Sequence, residues 1–279
     1  MPVTLESTPP SEWLLNGEPG AALPALDRGL LYGDGLFETI AVQAGRARLW
    51  DRHMRRLQAG CQRLGLPEPD VAVLAAEAGR LIAGRSRVVL KIILTRGPGG
   101  RGYRGPQPPC PSRILALHPW PDYPPEWWER GIAARFCQTR LGCNPALAGI
   151  KHLNRLEQVL ARAEWDDPGI AEGLMLDGEG RVIEGVMTNL FIVRGRGLLT
   201  PDLGRCGVAG VMRGWILDHA PGLGMTVRAT DLGMDEINMA DELFVTNSLV
   251  GVWPLRRLDG QRWAVGPATR EIQQAVAAC

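Results

Sequence analysis

Four prolines fall within residues 118–126, at Pro119, Pro121, Pro124 and Pro125. Proline has no backbone N–H and a fixed φ, so this segment is a poor candidate for a helix or for a central strand. We therefore predict a stiff connector at 118–126, with an N-terminal α/β domain at 1–117 and a C-terminal α/β domain at 127–279. A chain of 279 residues with 45% hydrophobic content can bury cores for two such domains.

Before the connector, the hydrophobic pattern predicts a mixture of strands and helices. Residues 36–42 and the β-branched run 88–94 have the composition of strands. Residues 51–64 and 70–83 carry apolar side chains at helical spacing. The N-terminal half is therefore predicted to be a mixed α/β domain.

After the connector, a hairpin and a helix are the elements that bear most on function. Alternating residues at 173–177 and 181–184, around the turn Asp177-Gly178-Glu179-Gly180, predict the hairpin. The helix follows Lys151, and its predicted apolar face consists of Leu153, Leu156, Val159, Leu160 and Ala163. Further strands are predicted at 131–138, 190–193 and 242–246, and a further helix at 211–219.

The charge balance limits the classes of partner. The formal net charge is +1, so no overall field favours nucleic acid or an anionic membrane. We expect a small-molecule partner instead. No apolar run reaches the length of a membrane span, and the N-terminus lacks the pattern of a signal peptide. We therefore expect a cytoplasmic protein.

The cysteines and histidines show no metal-binding spacing. There is no Cys-x-x-Cys pair and no His-x-x-x-His cluster, so we expect neither a disulfide framework nor a metal site. The residues concerned are Cys61, Cys110, Cys137, Cys143, Cys206, Cys279, His53, His118, His152 and His219.

Lys151 and Glu184 together suggest a Schiff-base enzyme. The apolar, glycine-bounded stretch 148–150 can favour the neutral amine that attacks a carbonyl. If that carbonyl belongs to pyridoxal phosphate, a carboxylate is needed at the pyridine nitrogen, and Glu184 on the second hairpin strand is the candidate. The alternative is an ordinary surface lysine and a solvated glutamate.

The phosphate of such a cofactor needs backbone amides and one or two cations. A glycine turn at 207–210 leads into a helix, where the first-turn amides of Val211 and Met212 are candidate donors. The turn containing Asn247 and Ser248 follows a predicted strand, and Arg56 offers a positive charge. The alternatives are simple helix punctuation by glycine and a solvated helix face carrying Arg56.

These residues belong to a longer pattern that resembles a known family. The chain is similar to the class IV aminotransferases, the fold type IV pyridoxal-phosphate enzymes, in Glu184, Asn189-Leu190-Phe191, Leu198-Leu199-Thr200 and Val208-Ala209-Gly210-Val211-Met212-Arg213. Val186 stands where a small residue is usual, a departure that bears on local packing. Residues 27–39 and the His53-x-x-Arg56-Leu57 motif extend the resemblance to nearly the whole chain.

The resemblance implies a two-domain α/β fold like that of D-amino acid aminotransferase, a homodimer, and a cofactor bound between the domains. It implies that Lys151 forms the Schiff base with pyridoxal 5'-phosphate and that Glu184 holds the pyridine nitrogen. It also implies a phosphate site made of Arg56, Val211, Met212, Asn247 and Ser248.

Within the family, residues 90–103 and 149–158 resemble the aminodeoxychorismate lyases. This implies elimination of pyruvate from 4-amino-4-deoxychorismate to give 4-aminobenzoate, a step of folate biosynthesis, with Thr39 relaying a proton to the leaving oxygen. The substrate-binding residues implied are Tyr32, Arg96, Arg101 and Tyr103.

The glycine-rich loop that carries Arg96, Arg101 and Arg104 has a physical interpretation of its own. Guanidinium groups on a flexible loop suit a dicarboxylate substrate. A solvated hairpin tip and an RGG-like nucleic-acid segment are alternatives, although the latter expects repeats and a basic chain. For the whole protein, the alternatives are a D-amino acid or branched-chain aminotransferase of the same fold and a non-catalytic cofactor-binding relative.

Overall fold

The computed structural model describes residues 12–279, which form two compact units. The N-terminal unit contains the described residues up to Pro121 together with Ile150–Asn154. The C-terminal unit contains Asp122–Gly149 and Arg155–Cys279. The mixed α/β class predicted from the sequence is confirmed.

The N-terminal unit is built on a six-stranded sheet with strand order β2-β1-β6-β5-β3-β4, and its neighbouring strands are antiparallel. Its elements are β1 (Glu12–Leu15), β2 (Glu18–Pro19), α1 (Arg28–Tyr32), β3 (Gly35–Gln43), β4 (Arg46–Ala47), α2 (Trp50–Leu64), α3 (Val71–Ile82), β5 (Arg87–Thr95) and β6 (Ser112–Pro119).

Alternation along β3 gives this sheet two different faces. Leu36, Glu38 and Ile40 are buried on one face, whereas Phe37 and Thr39 on the other are only partly buried. α2 packs against β3 and buries the apolar positions that the sequence predicts to be its core face. The two strands and two helices predicted in this half are confirmed.

The connector prediction is wrong at its first two residues. β6 continues through His118 and Pro119, and Pro119 pairs with Val88 of β5. The described pairing of β6 with β1 runs from Ile114 to Leu117. Pro119 is the last residue of β6, and proline is tolerated in a strand where its missing N–H is not needed by a neighbouring strand.

The segment that carries Lys151 lies in the range predicted for the C-terminal domain, but it associates with the N-terminal unit. Phe37 N–H donates to the Lys151 carbonyl at 3.0 Å, and Leu153 N–H donates to the Gly35 carbonyl at 3.0 Å. These hydrogen bonds dock the segment on the edge of β3, a pairing between residues more than a hundred positions apart that local pattern does not predict.

The C-terminal unit contains a larger sheet of mixed direction, with strand order β12-β11-β10-β13-β14-β7-β8-β9 and β15 paired to β14. Its elements are α4 (Glu126–Glu129), β7 (Ile132–Leu141), α5 (Leu156–Arg162), β8 (Glu172–Asp177), β9 (Val182–Gly185), β10 (Asn189–Arg194), β11 (Gly197–Pro201), α6 (Val211–His219), a 3-10 helix (Ala220–Leu223), β12 (Thr226–Thr230), α7 (Met234–Asn238), β13 (Glu242–Asn247), β14 (Gly251–Leu258), β15 (Gln261–Arg262) and α8 (Pro267–Ala277).

The apolar core of this unit lies against the sheet, with Trp253 fully buried and Phe191 stacked on Phe244 at 5.0 Å between ring centres. The hairpin formed by β8 and β9 and the helix α6 match their predicted positions. These elements place Glu184 and the start of α6 in the C-terminal unit.

The apolar face of α5 is exposed. Leu156, Val159 and Leu160 are 76%, 60% and 60% exposed, whereas Gln158 and Ala161 are buried. The apolar spacing predicted the helix, but these side chains do not pack on the core of their own chain.

None of the helices within residues 12–279 has the length and apolar character that crossing a membrane requires.

Candidate active site

Lys151 lies at the edge of the N-terminal sheet. His152 forms an isolated antiparallel bridge with Leu36, and the Lys151 backbone is bonded to that of Phe37. The Lys151 Nζ lies 4.2 Å from the centre of the Phe37 ring, and the residue is partly buried. The amine is therefore held against an apolar surface by its own backbone pairing and by a cation–π contact.

Thr39 shares this face of the sheet. It lies two residues after Phe37, and alternate residues of a strand point to the same side. Its partner across the strand pair is Lys91 of β5. The structure thus brings Thr39, predicted as a proton relay, to the same face as Phe37 and the Lys151 amine.

Arg56 is held on the opposite face by a carboxylate that the sequence analysis did not identify. Its Nε donates to Glu38 Oε1 at 2.8 Å and a second nitrogen donates to Oε2. The His53 Nδ1 lies 2.6 Å from Glu38 Oε2. Burial alone would raise the pKa of Glu38, but Arg56 and His53 lower this pKa to about 2. Arg56 therefore keeps a fixed position and a permanent ionic partner.

A signal for this cluster is present in the sequence. Glu38 is a charged residue on the otherwise apolar buried face of β3, and His53 and Arg56 are three positions apart on the facing helix. Burial also lowers the pKa of His53, an effect that the neighbouring Glu38 opposes. A buried charge requires partners, and these two residues supply them.

Arg28, which is buried, holds the glycine- and arginine-rich loop at residues 97–105 through hydrogen bonds to its backbone. The Arg28 guanidinium donates to the carbonyls of Gly102 at 3.0 Å and Tyr103 at 2.8 Å, and its Nε donates to Asp34 at 2.8 Å. The Tyr103 side chain is 87% exposed, and its ring centre lies 5.6 Å from that of Tyr32. The loop is thus ordered through its backbone while the side chains of Arg101, Tyr103 and Arg104 remain exposed.

Arg96 has a different partner from the substrate carboxylate expected for it. Its guanidinium donates to both oxygens of Asp34, at 2.8 and 3.1 Å. It also donates to the carbonyls of Leu64 and Gly65 at the end of α2. Arg96 and Arg28 together hold the pKa of Asp34 below its usual value, although burial opposes them. Since these contacts use its donors, Arg96 has a structural part in fixing the base of the loop.

Glu184 is buried in the C-terminal unit, on β9 as predicted. Its Oε2 accepts a hydrogen bond from the Val208 backbone at 2.8 Å, and its Oε1 lies 3.5 Å from Gln158 Nε2. Gly207 precedes Val208 with a φ of +83°, a conformation that favours glycine. The glycine turn therefore connects the Glu184 carboxylate directly to the start of α6.

The start of α6 has the features of an anion site. Gly210 occupies the N-cap position and no side chain caps the helix, so the first-turn amides of Val211 and Met212 need acceptors from outside the helix. Asn189 fixes the turn by accepting from Gly210 N–H at 3.1 Å and donating to the Val208 carbonyl at 2.9 Å. The predicted donors are therefore placed beside Glu184 within one unit.

Asn247 is the last residue of β13 and Ser248 follows it, at the end of the strand where Thr246 pairs with Asn189. The Asn247 Oδ1 accepts from the backbone of Leu249 at 2.8 Å and of Val250 at 2.9 Å. Its Nδ2 donates to the Met187 carbonyl at 3.1 Å. The Asn247 side chain thus shapes the turn that it begins.

Thr200 and Arg213 both belong to the sequence motifs of the class IV resemblance, and their hydrogen bonds hold the start of α6 against the sheet. The Thr200 hydroxyl donates to the Leu190 carbonyl at 2.7 Å, and Arg213 Nε donates to the same hydroxyl at 3.1 Å. A second Arg213 nitrogen donates to the Pro201 carbonyl at 2.9 Å. These bonds tie α6 to β10 and β11, a role that the sequence motif does not reveal.

A group of metal-capable atoms lies elsewhere in the C-terminal unit. Cys143, Asp177 and Cys206 place ligand atoms within 4.8 Å of one another. Arg181 forms an ion pair with Asp177 at 2.6 Å and opposes a second cation there. The expectation that the chain has no metal site stays a prediction.

Comparison with known proteins identifies the family. The model of the amino-transferase class IV family matches residues 35–258. Because this is most of the chain, the protein belongs to the class IV aminotransferase family, as the sequence motifs predict.

Lyases are among the proteins most similar to this chain. The chain is 36% identical to an aminodeoxychorismate lyase of Vibrio harveyi over 93% of this chain and 97% of that protein. Its sequence is 51% identical to that of 4-amino-4-deoxychorismate lyase from Pseudomonas aeruginosa. The crystal structure of that lyase matches this fold with a TM-score of 0.92, over 95% of this chain and 98% of the other. The branched-chain amino acid aminotransferase of Escherichia coli is 26% identical, with a TM-score of 0.88 over 97% and 94%.

Proposed function

We propose that this protein is a pyridoxal-phosphate-dependent lyase that converts 4-amino-4-deoxychorismate to 4-aminobenzoate and pyruvate. The observation that carries the proposal is 51% identity to a lyase of that name across 95% of the chain, against 26% for the aminotransferase. The elimination uses the groups on the Phe37 face of the N-terminal sheet, where Lys151 supplies an amine and Thr39 a hydroxyl.

The residues fit the aldehyde, the pyridine nitrogen and the phosphate of pyridoxal phosphate. Lys151 offers an amine for the aldehyde, and the buried Glu184 carboxylate suits a protonated pyridine nitrogen. The uncapped start of α6, with the amides of Val211 and Met212, suits the phosphate. Arg56 and the turn at Asn247 and Ser248 complete the proposed phosphate site.

When bound, pyridoxal phosphate supplies a ring that withdraws electrons from the substrate carbon bearing the nitrogen. Glu184 favours the protonated form of that ring because a carboxylate beside the nitrogen stabilises its positive charge. The Val208 amide and Gln158 in turn orient the Glu184 carboxylate.

Proton movement is assigned to Lys151 and Thr39. The Lys151 amine accepts the proton from the carbon that bears the substrate nitrogen. The neighbouring C–O bond to the enolpyruvyl group then breaks, its electron pair leaves on oxygen, and that oxygen takes a proton from the Thr39 hydroxyl. The substrate ring thereby becomes the aromatic ring of 4-aminobenzoate, which makes the step effectively irreversible.

Arg101 and Tyr103 are the residues of the loop that we propose to meet the substrate, together with Tyr32. Their side chains are outside the hydrogen-bond network that Arg28 and Arg96 form with the loop backbone and Asp34. A guanidinium at Arg101 suits a carboxylate of the substrate. Arg96 is bound to Asp34 and is not assigned to that contact.

We also propose a homodimer, as the family resemblance implies. The exposed apolar residues Leu156, Val159 and Leu160 of α5 form one stripe, at helical spacing, immediately after the Lys151 segment. Exposed apolar side chains at this density are typical of a surface covered by another chain. The occupant that we propose is a second copy of this protein, and cytoplasmic location stays a prediction from the sequence.

The test is to supply the holoenzyme with enzymatically generated 4-amino-4-deoxychorismate and to follow 4-aminobenzoate and pyruvate together. We expect equal amounts of both, and no product from Lys151→Ala, which also loses the visible absorbance of the bound cofactor. Exchange of an amino group between an amino acid and a keto acid, without either product, would instead favour the branched-chain or D-amino acid aminotransferase. A Lys151→Ala protein with full activity would contradict the proposed roles.

A further inference from the structure

Lys91 and Lys151 are the only lysines in a sequence with 31 lysine and arginine residues. Both approach the same aromatic ring: the Lys151 Nζ lies 4.2 Å from the centre of Phe37 and the Lys91 Nζ lies 5.5 Å from it. The remaining residues of these 31 are all arginine, and the two lysine side-chain amines lie near one ring. The mechanism above uses only one of them.

Lys91 lies in the middle of β5, opposite Thr39 of β3 and Ala116 of β6. Directly paired residues of antiparallel strands point to the same face, with Cβ atoms about 5 Å apart. The long, flexible lysine stem therefore allows Nζ to approach the Thr39 hydroxyl. Among the described neighbours of Thr39 on this face, Lys91 is the titratable residue in direct cross-strand register.

The electrostatic setting of Lys91 favours the loss of a proton. Burial lowers the pKa of Lys91, and no carboxylate within residues 12–279 counteracts that effect. His118, beside Lys91 on β6, has a pKa lowered first by burial and then by the Lys91 charge. Lys91 is thus an ammonium in a partly apolar place without an anion to stabilise it.

Lysine and arginine differ in one property that matters here. An ammonium can give up a proton under physiological conditions when its surroundings favour the neutral amine, whereas a guanidinium stays protonated. A site that needed only a positive charge or a bidentate carboxylate contact would suit arginine, the residue this chain uses elsewhere. A lysine at this position therefore indicates a role in proton transfer.

We propose that Lys91 supplies the proton that Thr39 passes to the departing ether oxygen. This inference rests on the proposed lyase function. As the C–O bond breaks and its electron pair leaves on oxygen, that oxygen takes the Thr39 proton, and the Thr39 oxygen takes one from Lys91 Nζ. The neutral Lys91 amine regains its proton from water before the next turnover.

The experiment compares steady-state kinetics of wild-type holoenzyme with Lys91→Arg, Lys91→Ala and Thr39→Val. Lys91→Arg keeps the positive charge, but a guanidinium does not give up its proton. We therefore expect KM to change by less than about threefold and kcat to fall by about 100-fold or more. Added methylamine should restore part of the kcat of Lys91→Ala, because it returns a small protonated amine to the space, and should leave Thr39→Val unchanged. Cofactor absorbance and thermal melting confirm that each variant is folded and loaded.

Each contrary outcome has a distinct meaning. Wild-type protein that forms no 4-aminobenzoate would overturn the proposed function and this inference with it. If the wild type is an active lyase but Lys91→Arg keeps its kcat, charge alone is sufficient and the inference is wrong. Lys91 variants that raise KM at unchanged kcat would assign Lys91 to binding a substrate carboxylate and would also overturn it.

Discussion

At the scale of single residues, the site depends on charged groups whose partners lie on other helices, strands or loops of the chain. Glu38 fixes Arg56, and Asp34 fixes Arg28 and Arg96. Each carboxylate has two cationic or potentially cationic neighbours, which orients the side chains before any ligand arrives. Sequence motifs made Arg56 a candidate for the phosphate site but did not reveal the carboxylate that positions it, because strand and helix patterns do not predict which side chains face each other.

The Glu38 cluster predicts a particular dependence of stability on pH. The pKa of Glu38 is about 2 in the fold against a usual 4.5. A depressed carboxyl pKa stabilises the fold while the group is ionised, so this contribution is present above about pH 4.5 and is lost as pH falls toward 2. A difference of this size corresponds to about 3 kcal/mol.

The measurement is urea unfolding of the wild type and of Glu38→Gln between about pH 6 and pH 3. We expect the stability advantage of the wild type to be constant above about pH 4.5 and to shrink as the pH is lowered further. Glu12→Gln is the matched control, because Glu12 pairs with Arg85 on an exposed surface. An advantage of Glu38 that is the same at every pH would contradict the assigned ion pair.

At the scale of elements, the glycine turn before α6 is the feature that links Glu184 to the helix start. A Cβ on Gly210 would overlap Asn189 Oδ1, the atom that accepts the Gly210 N–H. We expect Gly210→Ala to destabilise the protein by about 1–3 kcal/mol and to weaken cofactor binding, since the first-turn amides would move. Thermal melting and a pyridoxal-phosphate titration measure the two effects.

Gly222 provides the control for this substitution. It lies in the 3-10 helix after α6, and a Cβ there meets nothing within 4 Å. We expect Gly222→Ala to change stability by no more than about 0.5 kcal/mol and to leave cofactor affinity intact. Equal cofactor affinity in Gly210→Ala and the wild type would remove the start of α6 from the phosphate site.

The elements themselves were largely predictable where the pattern was strong. The apolar alternation of β3 and β5, the helical spacing of α2, and the Asp177–Gly180 turn of the hairpin all depend on neighbours in sequence. The end of β6 was not predicted, because a cluster of prolines argues against a strand and Pro119 nevertheless pairs with Val88. That pairing depends on which strand lies alongside.

At the scale of the whole molecule, the α5 stripe predicts the assembly state. Leu156→Glu with Leu160→Glu places two charges on the exposed apolar surface. We expect light scattering to give twice the 30.4 kDa chain mass for the wild type and the single-chain mass for the double variant. Burial of charge between two chains is costly, whereas on an exposed surface it is not.

Val73→Glu is the matched control, since Val73 is an exposed apolar residue of α3 in the other unit. It should leave the mass of the wild type unchanged. A wild-type protein with the mass of one chain would contradict the proposed homodimer. A double variant that remains a dimer would place the interface elsewhere.

The amino-acid sequence by itself determined the class of fold, the family, and the residues Lys151, Glu184 and Thr39 as candidates, because those rest on local periodicity and on motif spacing. Only the tertiary structure decided that Lys151 joins the edge of β3, that Arg96 pairs with Asp34, and that the α5 leucines face outward. The physical reason is the same for all three. They depend on contacts between residues distant in sequence, and the pattern of one segment does not specify the surface against which it packs.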